Sequence, residues 1–296
     1  MKMVDCFFKC VARLCDRYSF IRNTLFYGKL ELRYLRLKIM LGNVKLTPDT
    51  DAIDFYAKNA NRVDAVARIL ADEQSRKVYL GMIKFRQTYD KRDYPSYTSL
   101  KTEYFIREVT FDRDEVFVDC GAYDGDTMNA FVKRCPHYKH IIAFEPDIRN
   151  FAKLKHKHGN NPRMTLINAG VYDHDGNVHF DERGDVGSKI GDESDNGVTI
   201  SVKAIDALDL PKITFLKMDI EGAELNALKG AEKTIVRDKP KLAICIYHSH
   251  DDMLRIAETI HALVPEYRLY IRQHGYYFPY VCETILYALM PSKEYV

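Results

Sequence analysis

The chain has 296 residues and a formal net charge of +2, which makes no general case for a nucleic-acid partner and leaves room for one large or two modest domains. Its seven cysteines, an odd number without framework or CxxC spacing, argue against a disulfide scaffold and a zinc site and suit a reducing compartment. No apolar run reaches membrane-spanning length and Phe7-Phe8 is too short for a signal peptide, so the expected location is cytoplasmic.

Residues 1–103 read as a helical N-terminal cap or oligomerisation region. Over residues 1–40, Phe7, Phe8, Val11, Leu14, Tyr18 and Ile21 recur at helical spacing between basic residues. Residues 1–45 hold ten Lys and Arg against three acids, a surplus of seven. Such a stripe packs on a neighbouring domain or subunit more often than it lies on a membrane, so homo-oligomer contact and peripheral membrane contact both stay open. Further on, Val63, Val66 and Leu70 share a helical face, and Asp72-Glu73-Gln74-Ser75 opens a second helix containing Val78, Leu80, Met82 and Ile83. These helices are expected beside the active-site end of a sheet, with 89–99 as a linker.

From residue 104 onward, strands alternating with helices predict a parallel, doubly wound α/β sheet. A strand over 116–118 runs into a turn with Gly121 and Gly125, which opens a helix over 127–132. The spacing is G-x-x-x-G, not the G-x-G-x-x-G of dinucleotide sites, and Asp119, Asp124 and Asp126 would repel phosphate. Acids there suit a ligand with a positive centre and no phosphate, such as S-adenosylmethionine. The next strand, 141–144, ends in Glu145-Pro146, where an acid reads as a ribose partner or as a helix-start charge. A helix over 148–157 and a third strand over 164–171 follow, with Ala169 where adenine would lie. The turn at Asp173-His174-Asp175-Gly176-Asn177 predicts an antiparallel excursion between 166–171 and 178–180, and 184–197 reads as a loop that either closes over substrate or lies on the surface.

The fourth parallel strand, 213–218, ends in Asp219-Ile220-Glu221-Gly222 before a helix carrying Leu225, Leu228 and Ile235. Asp219 and Glu221 therefore emerge at the carboxyl edge of the sheet, as site residues or as helix caps. The fifth strand, 242–246, delivers Tyr247-His248-Ser249-His250 to the same edge, and an imidazole with a pKa of about 6.5 suits a proton acceptor. The His and Asp spacing there matches no strong metal motif, so no metal is expected. A helix over 253–263 and strands over 268–272 and 284–289 complete the pattern.

Three stretches together resemble the FkbM-type family of S-adenosylmethionine-dependent methyltransferases: residues 116–127, Ala143-Phe144-Glu145-Pro146-Asp147, and the Asp219-Ile220-Glu221-Gly222-Ala223-Glu224 motif with its strand. The resemblance runs in order from about 104 to 288. It implies a Rossmann-like class I methyltransferase domain over 104–296, mostly parallel with an antiparallel last strand, that binds S-adenosylmethionine. It further implies that Asp119, Gly121, Ala122, Tyr123 and Gly125 hold the donor's amino acid end, Glu145 and Pro146 its ribose and Ala169 its adenine, with Asp219 also at the donor. Asp219, Glu221 and His248 would orient the acceptor or receive its proton. Tyr104-Phe105, Ser188, His248 and Glu283 also agree with the family. The implied reaction is methylation of a hydroxyl on a sugar, glycan or natural-product intermediate, with nitrogen acceptors open. A non-catalytic donor-binding scaffold and an NAD(P)-dependent oxidoreductase are the rival readings.

Overall fold

The computed structural model describes residues 48–181, 197–276 and 281–291. The basic stripe in 1–45, Ser188 and the loop over 184–196 lie outside the described residues. The described strands are β1 (Val116–Cys120), β2 (His140–Phe144), β3 (Met164–Ile167), β4 (Gly170–Val171), β5 (Gly176–Asp181), β6 (Gly197–Lys203), β7 (Phe215–Met218), β8 (Lys241–Cys245), β9 (Arg268–Gln273) and β10 (Thr284–Leu289). The helices are α1 (Thr50–Lys58), α2 (Ala60–Ile69), α3 (Glu73–Thr88), α4 (Asp126–Arg134), α5 (Ile148–His158), α6 (Glu224–Lys229), α7 (Glu232–Asp238) and α8 (Asp252–Leu263). No helix among these residues is long and apolar enough to cross a membrane.

Seven strands form one sheet in the order β3-β2-β1-β7-β8-β10-β9. The pairs β3-β2, β2-β1, β1-β7 and β7-β8 are parallel, and β10 runs antiparallel to both neighbours. This is the doubly wound sheet with an antiparallel last strand that the sequence reading expects. Because both faces of the central strands are buried, β1, β7 and β8 are mostly apolar, with Asp119 and Lys217 as buried exceptions, and alternate side chains feed separate layers. Val116, Val118, Leu216 and Leu286 face one hydrophobic cluster, which includes Tyr56, Val66 and Met82 from α1–α3 and Leu254 from α8. Phe117, Phe215, Ile141 and Tyr287 face the other, with Phe105 and with Phe131 of α4. The Phe117 and Phe215 rings stack there at 4.9 Å.

Local readings are revised at three places. The expected third strand breaks after Ile167, where Asn168 turns the chain by donating to the carbonyls of Glu145 at 2.8 Å and Pro146 at 3.1 Å. Gly170 and Val171 then join a second sheet, ordered β4-β6-β5, in which β5 is antiparallel to β6 and not to 166–171. The single helix expected after Gly222 is two, α6 and α7, separated at Gly230, where an added Cβ would lie 2.0 Å from the Tyr172 carbonyl. On α3, Leu80 is 44% exposed, and Tyr79 and Phe85 take the buried positions beside Val78 and Met82.

The start of α3 is bound to β9 by a charged knot. Asp72 caps the helix by accepting from Ser75 N at 2.7 Å, and its carboxylate also receives Arg272 at 2.7 Å. Burial alone would raise the pKa of Asp72, but Arg272 and Ser75 outweigh it and hold it at about 2. A depressed carboxyl stabilises the fold above its unfolded pKa, and that contribution disappears as pH falls toward 2. Asp72→Asn should therefore cost about 2 kcal/mol at neutral pH and progressively less below pH ~4. Urea unfolding at pH 7 and pH 3 tests this; an equal loss at both values would remove the ion pair as the cause.

Candidate active site

The strand order reverses between β1 and β7, so the turns leaving them diverge and open a crevice at the carboxyl edge. In the first turn Gly121 has φ +81° and Gly125 φ +88°. A Cβ on Gly121 would sit 1.9 Å from the Asp219 carbonyl oxygen, and one on Gly125 would sit 2.5 Å from His158 Nε2. Both glycines are thus required by the protein's own packing, besides any ligand.

Asp119, one residue before the end of β1, is fully buried opposite Lys217 in the β1-β7 register. The Lys217 ammonium, itself buried, lies 3.1 Å from Asp119 Oδ1 and donates to the carbonyl of Gly121 at 2.8 Å. Burial raises the pKa of Asp119 to about 6 against the pull of Lys217. Asp124 pairs with Lys157 at 2.7 Å. The turn is therefore less acidic than its sequence suggests, since two of its three acids have lysine partners.

Glu145 closes the other side of the crevice. One of its oxygens accepts from Tyr123 N at 2.8 Å and the other from Asp147 N at 2.9 Å, tying the end of β2 to the glycine turn. The cap of α5 is Asp147, which accepts from Arg149 N and Asn150 N, so Glu145 is not that helix's capping residue. Each Glu145 oxygen keeps a lone pair, as a ribose diol requires. Ala122 and Ala169 are buried at 1% and 2% exposure, and Pro146 is half-buried.

The acceptor side is built from β7 and β8. Asp219 accepts from Tyr104 OH at 2.8 Å and from Tyr247 OH at 3.2 Å. His248 Nε2 lies 3.6 Å from Asp219 Oδ1 and 3.5 Å from Glu221 Oε2, while Nδ1 lies 3.2 Å from Glu224 Oε1. Burial would depress the pKa of His248, but Glu224, Asp219 and Glu221 outweigh it and raise it to about 9. The ordinary imidazole pKa on which the sequence argument gave His248 a base's role does not apply in this surrounding. The N-cap of α6 is Ala223, without a side-chain cap bond, so neither Asp219 nor Glu221 serves as that cap.

His250 turns away from this centre toward Asp49, at 3.6 Å, and Arg86, at 3.3 Å. Arg86 also donates to the carbonyl of Tyr247 at 2.6 Å, which anchors the loop that carries His248. Glu283 is half-buried beside Glu103, and desolvation with the like charge holds its carboxyl well above the usual range. Sequence reasoning assigned no role to Lys217, Glu224 or Tyr247. Glu224 stood inside the recognised motif; Lys217 carried no signal beyond a lone cation in an apolar strand.

Residues 119–278 match the family described as the methyltransferase FkbM domain. The 2-O-methyltransferase NoeI of Sinorhizobium fredii (strain NBRC 101917 / NGR234) is 25% identical over 165 residues, 48% of this chain and 68% of that protein. The crystal structure of methyltransferase FkbM from Methylobacillus flagellatus KT matches at a TM-score of 0.69 with 28% identity, over 87% of this chain. The match spans 65% of the length of that solved chain, just under two thirds.

Proposed function

The chain belongs to the FkbM methyltransferase family, and from that premise we propose that it moves a methyl group from S-adenosylmethionine to a hydroxyl oxygen of a sugar, glycan or natural-product intermediate. The observation that carries this reading is the convergence of Asp219, Glu221 and His248 at the carboxyl edge, directly across from the Gly121 turn. The NoeI relative, a 2-O-methyltransferase by name, supports oxygen as the acceptor atom. We place the activity in the cytoplasm, in keeping with the buried thiols of Cys120, Cys135 and Cys245.

In this reading the glycine turn and Asp119 border the donor's amino acid end, and Glu145 accepts from its ribose hydroxyls. Bound donor supplies an electrophilic methyl group for in-line displacement, and orientation of the two reactants provides much of the acceleration. Asp219, fixed by two tyrosine hydroxyls, orients the acceptor. Glu221, with a side chain 89% exposed, takes the acceptor's proton and passes it to water. No side chain has to act as a nucleophile.

Titration calorimetry with S-adenosylmethionine, S-adenosylhomocysteine and NAD, followed by transfer of labelled methyl to a panel of hydroxylated sugars, tests the proposal. Binding of the first two and transfer to oxygen supports it. Donor binding without transfer to any acceptor would leave a scaffold, and NAD binding an oxidoreductase. Glu145→Ala should weaken donor binding about tenfold or more, the loss of one charge-assisted hydrogen-bond set. Wild-type affinity in calorimetry would take Glu145 out of the donor site.

A further inference from the structure

The acceptor centre holds more unsatisfied polar atoms than a buried cluster ordinarily tolerates. Glu224 is fully buried, and its Oε2 has no hydrogen-bond partner. The His248 side chain is 7% exposed, and neither of its ring nitrogens has a partner in hydrogen-bonding geometry. Nearly all buried polar groups in folded proteins are satisfied, and leaving one unpaired costs about 1–3 kcal/mol. Asp219, Glu224 and His248 each present a ligand atom, and these atoms lie within 4.8 Å of one another. A single cation among them would give the Glu224 carboxylate and a His248 nitrogen a common partner.

We propose that Asp219, Glu224 and His248 form a divalent-cation site beside the acceptor. One imidazole nitrogen and two carboxylates make a mixed donor set, which suits Mn2+ and its first-row neighbours better than Mg2+ or Ca2+, ions that favour oxygen alone. Three protein ligands leave coordination positions open. The cation's role rests on the proposed function: an acceptor hydroxyl in an open position loses its proton more readily, because a bound cation lowers the pKa of a coordinated oxygen. Glu221 stays off the cation and receives that proton. The cation site differs from the sequence expectation of no metal because its ligands come from positions 219, 224 and 248, which no short ligand motif joins.

The test uses the full chain, stripped with EDTA, desalted and titrated with MnCl2 while free Mn2+ is read by electron paramagnetic resonance. One Mn2+ per chain is expected, with echo modulation from a directly bound nitrogen. Affinity should fall about tenfold or more in Glu224→Gln and in His248→Gln, and the nitrogen modulation should vanish in the latter. Glu221→Gln, a change at an exposed side chain, should bind Mn2+ as wild type does. Circular dichroism melts establish that each variant is folded. Absence of stoichiometric binding to wild type would overturn the site, as would binding without a nitrogen signal. Loss in Glu221→Gln with retention in Glu224→Gln would overturn the ligand assignment. Undiminished methyl transfer in EDTA without Mn2+ binding defeats the cation and spares the transferase; Mn2+ binding without transfer to any acceptor does the reverse.

Discussion

Gly121→Ala is expected to abolish stable folding. The added methyl group would lie 1.9 Å from the carbonyl oxygen of Asp219, and the backbone there sits at φ +81°. Both penalties fall on main chain, which cannot rotate away as a side chain can. The turns leaving β1 and β7 would have to separate, and β1 pairs with β7 through four consecutive residues. Core substitutions of this severity reach on the order of 4–5 kcal/mol, a large part of the stability of an ordinary domain. Gly125→Ala is the informative contrast. Its new methyl group would meet His158 Nε2, the far end of a side chain, so the cost should be about 1–3 kcal/mol. Urea unfolding followed by circular dichroism separates the two. Equal midpoints would mean that the close approach at Asp219 is relieved by a movement that costs little.

His248→Ala should lower kcat by about 10²-fold, the cost of misplacing the acceptor, while leaving the affinity for S-adenosylmethionine within about twofold. The ring sits among Asp219, Glu221 and Glu224, whereas the residues expected at the donor, Asp219 apart, gather at the glycine turn and Glu145. Removal also leaves Glu224 fully buried without the His248 ring beside it, so some loss of stability accompanies the loss of turnover. His248→Gln keeps a polar side chain of similar reach and limits that cost. Calorimetry with the donor and single-turnover transfer, run on variants shown to be folded, divide binding from chemistry. Unchanged turnover in either variant would remove His248 from the acceptor side.

Several parts of this molecule are legible without coordinates because they are local. The run of β-branched and aromatic residues before Gly121 makes a strand, two glycines make the turn, and the polar stretch after them starts a helix. The same logic reads Glu145 at the end of the second strand and Asp219 and Glu221 at the end of the fourth. The antiparallel last strand came with the family resemblance, since alternation alone predicts a parallel sheet without saying which strands are neighbours.

What only the tertiary structure decided are the partners that lie far apart in the chain. Lys217 reads as one cation in an apolar strand; the register between β1 and β7 sets it against Asp119 and turns it into a buried ion pair. Tyr104 holds Asp219 across 115 residues of sequence, and Arg272 holds Asp72 across 200. Glu224 belongs to a motif that can be recognised by eye, yet its approach to His248 depends on β7 and β8 lying side by side. A local pattern reports which face of an element is apolar. Which charges meet there follows from strand order and register, and those are settled by packing the whole sheet.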